Sequence, residues 1–141
     1  MNRRSLWLGL SALFAALAPA PAPAPAPQDA PPPPPPSLAE ARIQTAVRAY
    51  DLAWLYYSEN RIPSEKVYRW SRWLLEAQRE ATGDRAAVVA ACEGHLERMK
   101  KVHAKVARIR KIGLGDSLDV IEVDYYLKEA DFWVEQARAA K

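Results

Sequence analysis

The chain has 141 residues, 20 of them basic and 17 acidic, for a formal net charge of +3 with half the residues hydrophobic. A balance that even leaves no concentrated cationic face, so a nucleic-acid partner is not expected. A single cysteine excludes an internal disulfide, and the fold must hold by packing alone.

The N-terminus comes first. Arg3 and Arg4 precede an apolar run, Leu6 to Ala18 (LWLGLSALFAALA). A basic start and a short apolar stretch read as a secretory signal, too short to span a bilayer comfortably. The small residues Ala16, Ala18 and Ala20 mark cleavage sites, but proline follows each candidate and makes a poor peptidase substrate. Residues 1–18 are therefore expected to be a signal peptide or an N-terminal anchor. Either fate places the protein in the periplasm or outside the cell. Membrane contact is expected only where that segment stays uncleaved.

Residues 19–36 hold every proline of the chain except Pro63. Alternating Pro-Ala followed by six prolines lacks the donors that helix and sheet require, and it settles into polyproline II. At ~3.1 Å per residue it would reach roughly 55 Å. A stiff spacer is one use of such a run; a docking site for a proline-binding partner is the other.

Residues 37–141 are expected to form an all-α domain of two antiparallel helical hairpins, four long helices with coiled-coil-like heptad seams. Ser37 with Glu40 makes a capping box for the first helix, whose seam reads Ile43, Val47, Tyr50, Trp54, Tyr57. Asn60 suits a left-handed cap and Pro63 the start of the next helix. That helix has the seam Val67, Trp70, Leu74, Ala77, Ala81, and Gly83 and Asp84 are expected to end it and cap the third. The third has the cleanest register: Val88, Cys92, His95, Met99, Val102, Val106, Ile109, Gly113. A turn at Gly113-Leu114-Gly115 leads to the fourth helix, capped by Asp116 or Ser117, with the seam Val123, Tyr126, Ala130, Trp133, Ala137, Ala140. Helices joined by short turns should be antiparallel neighbours. A shift of 53 residues lays Val67 on Val120, Leu74 on Leu127 and Glu76-Ala77 on Glu129-Ala130, which suggests one hairpin plan used twice.

The aromatics fall mostly on or beside these seams, where large rings supply buried area that alanine cannot. Tyr56, Tyr57 and Tyr68 near the first turn would be a partner surface if exposed. The basic run Arg98 to Lys111 reads as a solvated helix face.

No nucleophile elbow, phosphate-binding glycine loop, HExxH or CxxC is present, so no catalytic residues are assigned and an enzyme is not expected. One constellation has chemical potential. Cys92, His95, Met99 and His103 fall within an arc of about 80° on the third helix at 3.6 residues per turn. Thiol, imidazole and thioether suit Cu or another soft metal such as Ni. The same residues also fit a packed core, where Cys and Met are ordinary.

The segment Gly113-Leu114-Gly115-Asp116-Ser117-Leu118-Asp119-Val120-Ile121, followed by Leu127, Ala130 and Ala137, resembles the helical hairpins of TolC-type outer-membrane efflux proteins. Val67-Tyr68 and Leu74-Leu75-Glu76-Ala77-Gln78 carry a fainter version. That family also has membrane strands and about three times this length, and nothing here alternates with a strand period. The resemblance implies a hairpin module of the cell envelope that packs against other helices; it does not imply transport activity. The expected function is thus that of a non-enzymatic scaffold or adaptor working through helix–helix contacts, by self-association or with a protein partner. A periplasmic metal or small-ligand sensor built on the Cys92/His95/Met99/His103 face and a chaperone-like cradle are the alternatives.

Overall fold

A computed structural model describes residues 35–140, and within them it contains four α-helices and no strand. The signal or anchor expected at residues 1–18, and all of the proline-rich linker except its last two residues, lie outside the described part. No described helix is long and apolar enough to cross a membrane.

Helix α1 (Leu38–Ser58) starts as its sequence dictates. The Ser37 backbone N–H donates to the Glu40 carboxylate at 2.7 Å and the Glu40 N–H donates back to the Ser37 hydroxyl at 3.2 Å. The N–H donated by Ser37 also holds the Glu40 carboxyl below its ordinary pKa. At its end the chain turns through Asn60 at φ 59°. The N–H of Asn60 reaches the carbonyl of Tyr57 at 3.0 Å and that of Arg61 the carbonyl of Tyr56 at 2.8 Å. This is a Schellman closure with asparagine in the left-handed position.

Pro63 precedes α2 (Ser64–Glu80) in extended conformation, without a side-chain cap. Asp84 caps α3 (Arg85–Lys111), accepting from the N–H groups of Ala86 and Ala87 at 3.3 and 3.2 Å. Gly83 departs from expectation, because it is not in the left-handed region and so does not act as a C′ glycine. Helix α2 ends instead with one backbone bond from Ala81 to Ala77, and Gly83 is simply an exposed link.

The turn into α4 (Ser117–Ala139) repeats the first. Gly113, at φ 75°, donates to Arg110 at 3.0 Å, and Leu114 donates to Ile109 at 3.2 Å. The shift of 53 residues that overlays the hairpins brings Asn60 onto Gly113, so the repeat extends to the geometry of the turns. Asp116 then caps α4 through the Leu118 N–H at 3.0 Å.

Helix α1 pairs with α2 and α3 with α4, and α2 also lies against both α3 and α4. One core runs through all four helices, including Tyr50, Val67, Leu75, Met99, Val102, Val123 and Ala130. The seam of α3 is buried over its middle, at Cys92, His95, Met99, Val102 and Val106, while Val88 and Ile109 are half-buried and Gly113 is exposed. The seam of α1 is displaced. Its buried residues are Ala46, Tyr50, Ala53 and Tyr57, while Val47 is exposed and Ile43 and Trp54 lie at the margin. Small Ala46 and Ala53 let α1 approach its neighbours, and the bulkier aliphatics fall on the outside of that contact. The same correction applies to Ala81 of α2 and Ala140 of α4, which are exposed, and in α4 Val134 is buried where Trp133 is only half-buried.

Candidate functional site

The four soft-ligand residues of α3 do not form one coordination sphere. At ~1.5 Å rise per residue, Cys92 and His103 stand about 16 Å apart along the helix, far beyond the span of a single ion. Among the described residues no three His, Cys, Asp or Glu side chains are placed to hold a metal. Cys92, His95 and Met99 are buried in the core, and His103 is half-buried beside the α4 carboxylate Asp124. Burial pushes the Cys92 thiol above its ordinary pKa, which disfavours the thiolate a metal would need.

His95 belongs to a polar cluster that the sequence does not announce. Its Nδ1 lies 2.8 Å from the hydroxyl of Ser71 on α2, and the Arg98 Nε donates to the same hydroxyl at 2.7 Å. The ring sits edge-on to Tyr68 at 6.1 Å and tilted against Trp133 at 5.3 Å between centroids. Its Nε2 is buried without a partner. Burial drives the imidazole pKa down to about 3, and the neighbouring Arg98 charge adds to this, so the ring stays neutral. Ser71 and His95 are both fully buried, and no substrate can reach them. Their chemistry is structural: they lock the register between α2 and α3.

The expected tyrosine cluster near the first turn is likewise absorbed. Tyr57 is buried, Tyr68 stacks on Tyr126 at 3.9 Å between centroids, and the Arg61 guanidinium covers Tyr56 at 4.2 Å. Of the basic run, Lys105 is buried with its ammonium donating to the Tyr57 carbonyl, while Lys100, Lys101, Arg108, Arg110 and Lys111 face solvent.

A row of exposed apolar side chains lies on α4, while Leu38, Val47, Leu52 and Leu55 of α1 and Trp73 of α2 are exposed elsewhere. Leu118, Ile121, Tyr125 and Phe132 are each more than half exposed. Their spacing of three, four and seven puts them in an arc of about 60° at 3.6 residues per turn. Val123, Tyr126, Ala130 and Val134, which face the core, centre roughly 150° away around the same helix. Helix α4 therefore has two apolar faces, and an amphipathic helix of an isolated bundle needs only one. The outer face continues into the turn through Ile112 and Leu114, both exposed. Acidic side chains border it, Glu122 and Glu129 on one side and Asp124, Asp131 and Glu135 on the other, and the exposed Lys128, ion-paired with Asp124, stands between Tyr125 and Phe132. The α4 sequence contained this second heptad stripe all along, hidden by the better-formed inner one.

Comparison with family models, curated proteins and solved structures finds no match to this chain. The likeness of residues 111–140 to TolC-type hairpins accordingly rests on the sequence pattern alone.

Proposed function

We propose that this protein is a non-enzymatic adaptor of the cell envelope, periplasmic or secreted, that binds a partner helix along the outer face of α4. The observation that carries the reading is the exposed ridge Leu118, Ile121, Tyr125 and Phe132. An exposed apolar row on a folded bundle, here interrupted by Lys128 at the step between Tyr125 and Phe132, marks an interaction surface more often than a solvent face. The inner seams are consumed within the chain's own core, and the outer row of α4, whose four members are each more than half exposed, is the longest heptad-spaced apolar set left for helix–helix contact among the described residues. The basic and apolar start of the sequence supports the compartment, and the TolC-like turn fits a helical partner there.

The acidic borders of the stripe define the partner's chemistry. Two copies of α4 face to face would bring five bordering carboxylates against five with only Lys128 of each copy to offset them, whereas an amphipathic helix flanked by Lys and Arg would neutralise them. A photo-crosslinking residue placed at Tyr125 tests this in intact cells. The expected product is a heterotypic adduct whose crosslinked peptide is an amphipathic helix with basic flanks, and it disappears in Ile121→Glu. Crosslinking only between Tyr125 peptides of two copies, or no adduct, overturns the proposal.

A further inference from the structure

At the end of the bundle where both hairpin turns meet, a cavity of about 170 Å³ lies between the α1–α2 link and the α3–α4 turn. Its apolar wall comes from Val106 and Ile109 of α3 and Val120 of α4, and Tyr57 of α1 also lines it. Tyr57 is only 6% exposed, yet its hydroxyl is buried with no hydrogen-bond partner. A buried hydroxyl without a partner is uncommon in a folded protein and calls for one. The rest of the residue is fully engaged. The Lys105 ammonium lies 4.2 Å over its ring and donates to its carbonyl, so the hydroxyl is the one polar group of Tyr57 left without a partner.

Two carboxylates reach the cavity, Asp116 and Asp119. Asp116 accepts the Leu118 N–H as the cap of α4. Asp119 is exposed and makes no ion pair among the described residues. It stands near enough to Tyr57 that its charge, added to the larger effect of burial, pushes the phenol pKa up to about 12. The tyrosine thus keeps its proton at neutral pH. Tyr57, with its unpartnered O–H donor, and Asp119, with its free carboxylate, line one small space.

We propose that this cavity is a binding site for a small neutral alcohol or phenol of about benzene size, whose hydroxyl accepts from Tyr57 and donates to Asp119. An engineered cavity of ~150 Å³ elsewhere is known to hold benzene, so the volume suits a single ring. Charge and hydrogen bonding argue for a neutral hydroxyl guest: Arg110 faces two carboxylates, so an anion finds no unopposed counter-charge, and an ammonium would bring no acceptor for the Tyr57 O–H. The hydroxyl group supplies what the site lacks, one acceptor and one donor.

The test is a titration of the folded protein with phenol, toluene and benzoate, followed by the methyl signals of Val106, Ile109 and Val120 in two-dimensional NMR. Phenol is expected to shift them saturably at millimolar concentration, at least fivefold more tightly than toluene or benzoate. Tyr57→Phe and Asp119→Ala should each weaken phenol at least fivefold and leave toluene unchanged. Asp119 is exposed, so its variant keeps the test open should Tyr57→Phe lose its fold. Absence of saturable shifts, toluene or benzoate binding as tightly as phenol, or phenol affinity unmoved in both variants would overturn the proposal.

Discussion

Asn60 and Gly113 hold the same left-handed position in two Schellman closures, one at the end of α1 and the other at the end of α3. The equivalence explains why both connections reverse the chain so tightly. In each, two backbone N–H groups return to carbonyls of the last helical turn, and the following helix begins four residues later at a serine, Ser64 or Ser117. The link between α2 and α3 lacks this device. The two hairpins are thus closed by one mechanism and joined to each other by a different one.

The unequal chemistry of the two residues gives opposite expectations. Glycine adopts positive φ at no steric cost, whereas a residue with a Cβ pays roughly 1–2 kcal/mol there, less for asparagine. Asn60→Gly should leave stability unchanged or raise it by a few tenths of a kcal/mol, and Gly113→Ala should lower it by about 1 kcal/mol. Gly115→Ala should cost more than Gly113→Ala. It combines φ 96° with a new Cβ only 3.1 Å from the Ile109 Cγ2, whereas a Cβ at Gly113 meets nothing. Urea melts of the three variants check the order; equal losses at both glycines would contradict it.

Among the described residues Ser71 supplies the only polar partner of the His95 ring, and it also receives the Arg98 Nε–H. Ser71→Ala therefore leaves both His95 nitrogens and one guanidinium N–H without partners. Orphaned buried groups cost ~1–3 kcal/mol each, so a loss of about 2–4 kcal/mol is expected. Adding His95→Leu removes the orphaned ring, and the double variant should recover part of that loss. A double-mutant cycle by chemical denaturation measures it. Strictly additive losses would mean that the two side chains are not coupled.

The same imidazole makes stability depend on pH. Its folded pKa lies near 3 against an ordinary 6.5, because burial penalises the cation. Between those values the unfolded chain binds a proton that the folded chain refuses, so stability rises with pH. The contribution is complete above pH 6.5 and is lost as pH falls toward 3, at up to ~1.4 kcal/mol per pH unit. At the alkaline end the sign reverses: burial raises Tyr57 and Tyr68 to about 12, so stability present below pH 10 is lost as pH rises toward 12. Urea midpoints from pH 4 to 7 should fall on acidification in the wild type and fall less steeply in His95→Gln. Parallel slopes would rule out His95 as the source.

How much of this was legible depends on the length scale of the signal. The capping box at Ser37 and Glu40, the Asp84 cap and the glycine turn are local, and the sequence discloses them because three or four neighbours decide the outcome. The α3 seam was also readable, since it is flanked by charge and has one apolar face. The α1 seam was not, because Ala46 and Ala53 lie one residue before the aliphatic Val47 and the aromatic Trp54, and only the depth of the contact with neighbouring helices decides which row is buried. Ser71 and Arg98 gave no pattern because their role exists only when α2 and α3 come together. The metal reading of α3 failed on distance: residues sharing a helix face can still be several turns apart.

The two faces of α4 lead to the sharpest separation between fold and function. Phe132→Ala and Ile121→Ala change solvent-facing side chains, and away from packed features such changes stay within about 0.5 kcal/mol. Tyr126 lies on the opposite face, stacked on Tyr68 and bonded to the Glu122 carboxylate. Met99 is completely buried against the same core. Met99→Ala should cost about 2–5 kcal/mol by removing buried volume, and Tyr126→Ala about 3–5 kcal/mol by analogy with other buried rings. Thermal melts should therefore divide the four variants into two groups. Crosslinking through position 125 should divide them the other way, with the partner lost in Ile121→Ala and Phe132→Ala and retained in any core variant that remains folded. If the outer-face substitutions destabilise the isolated domain as strongly as the core ones, then the stripe packs within the chain and is not a partner surface.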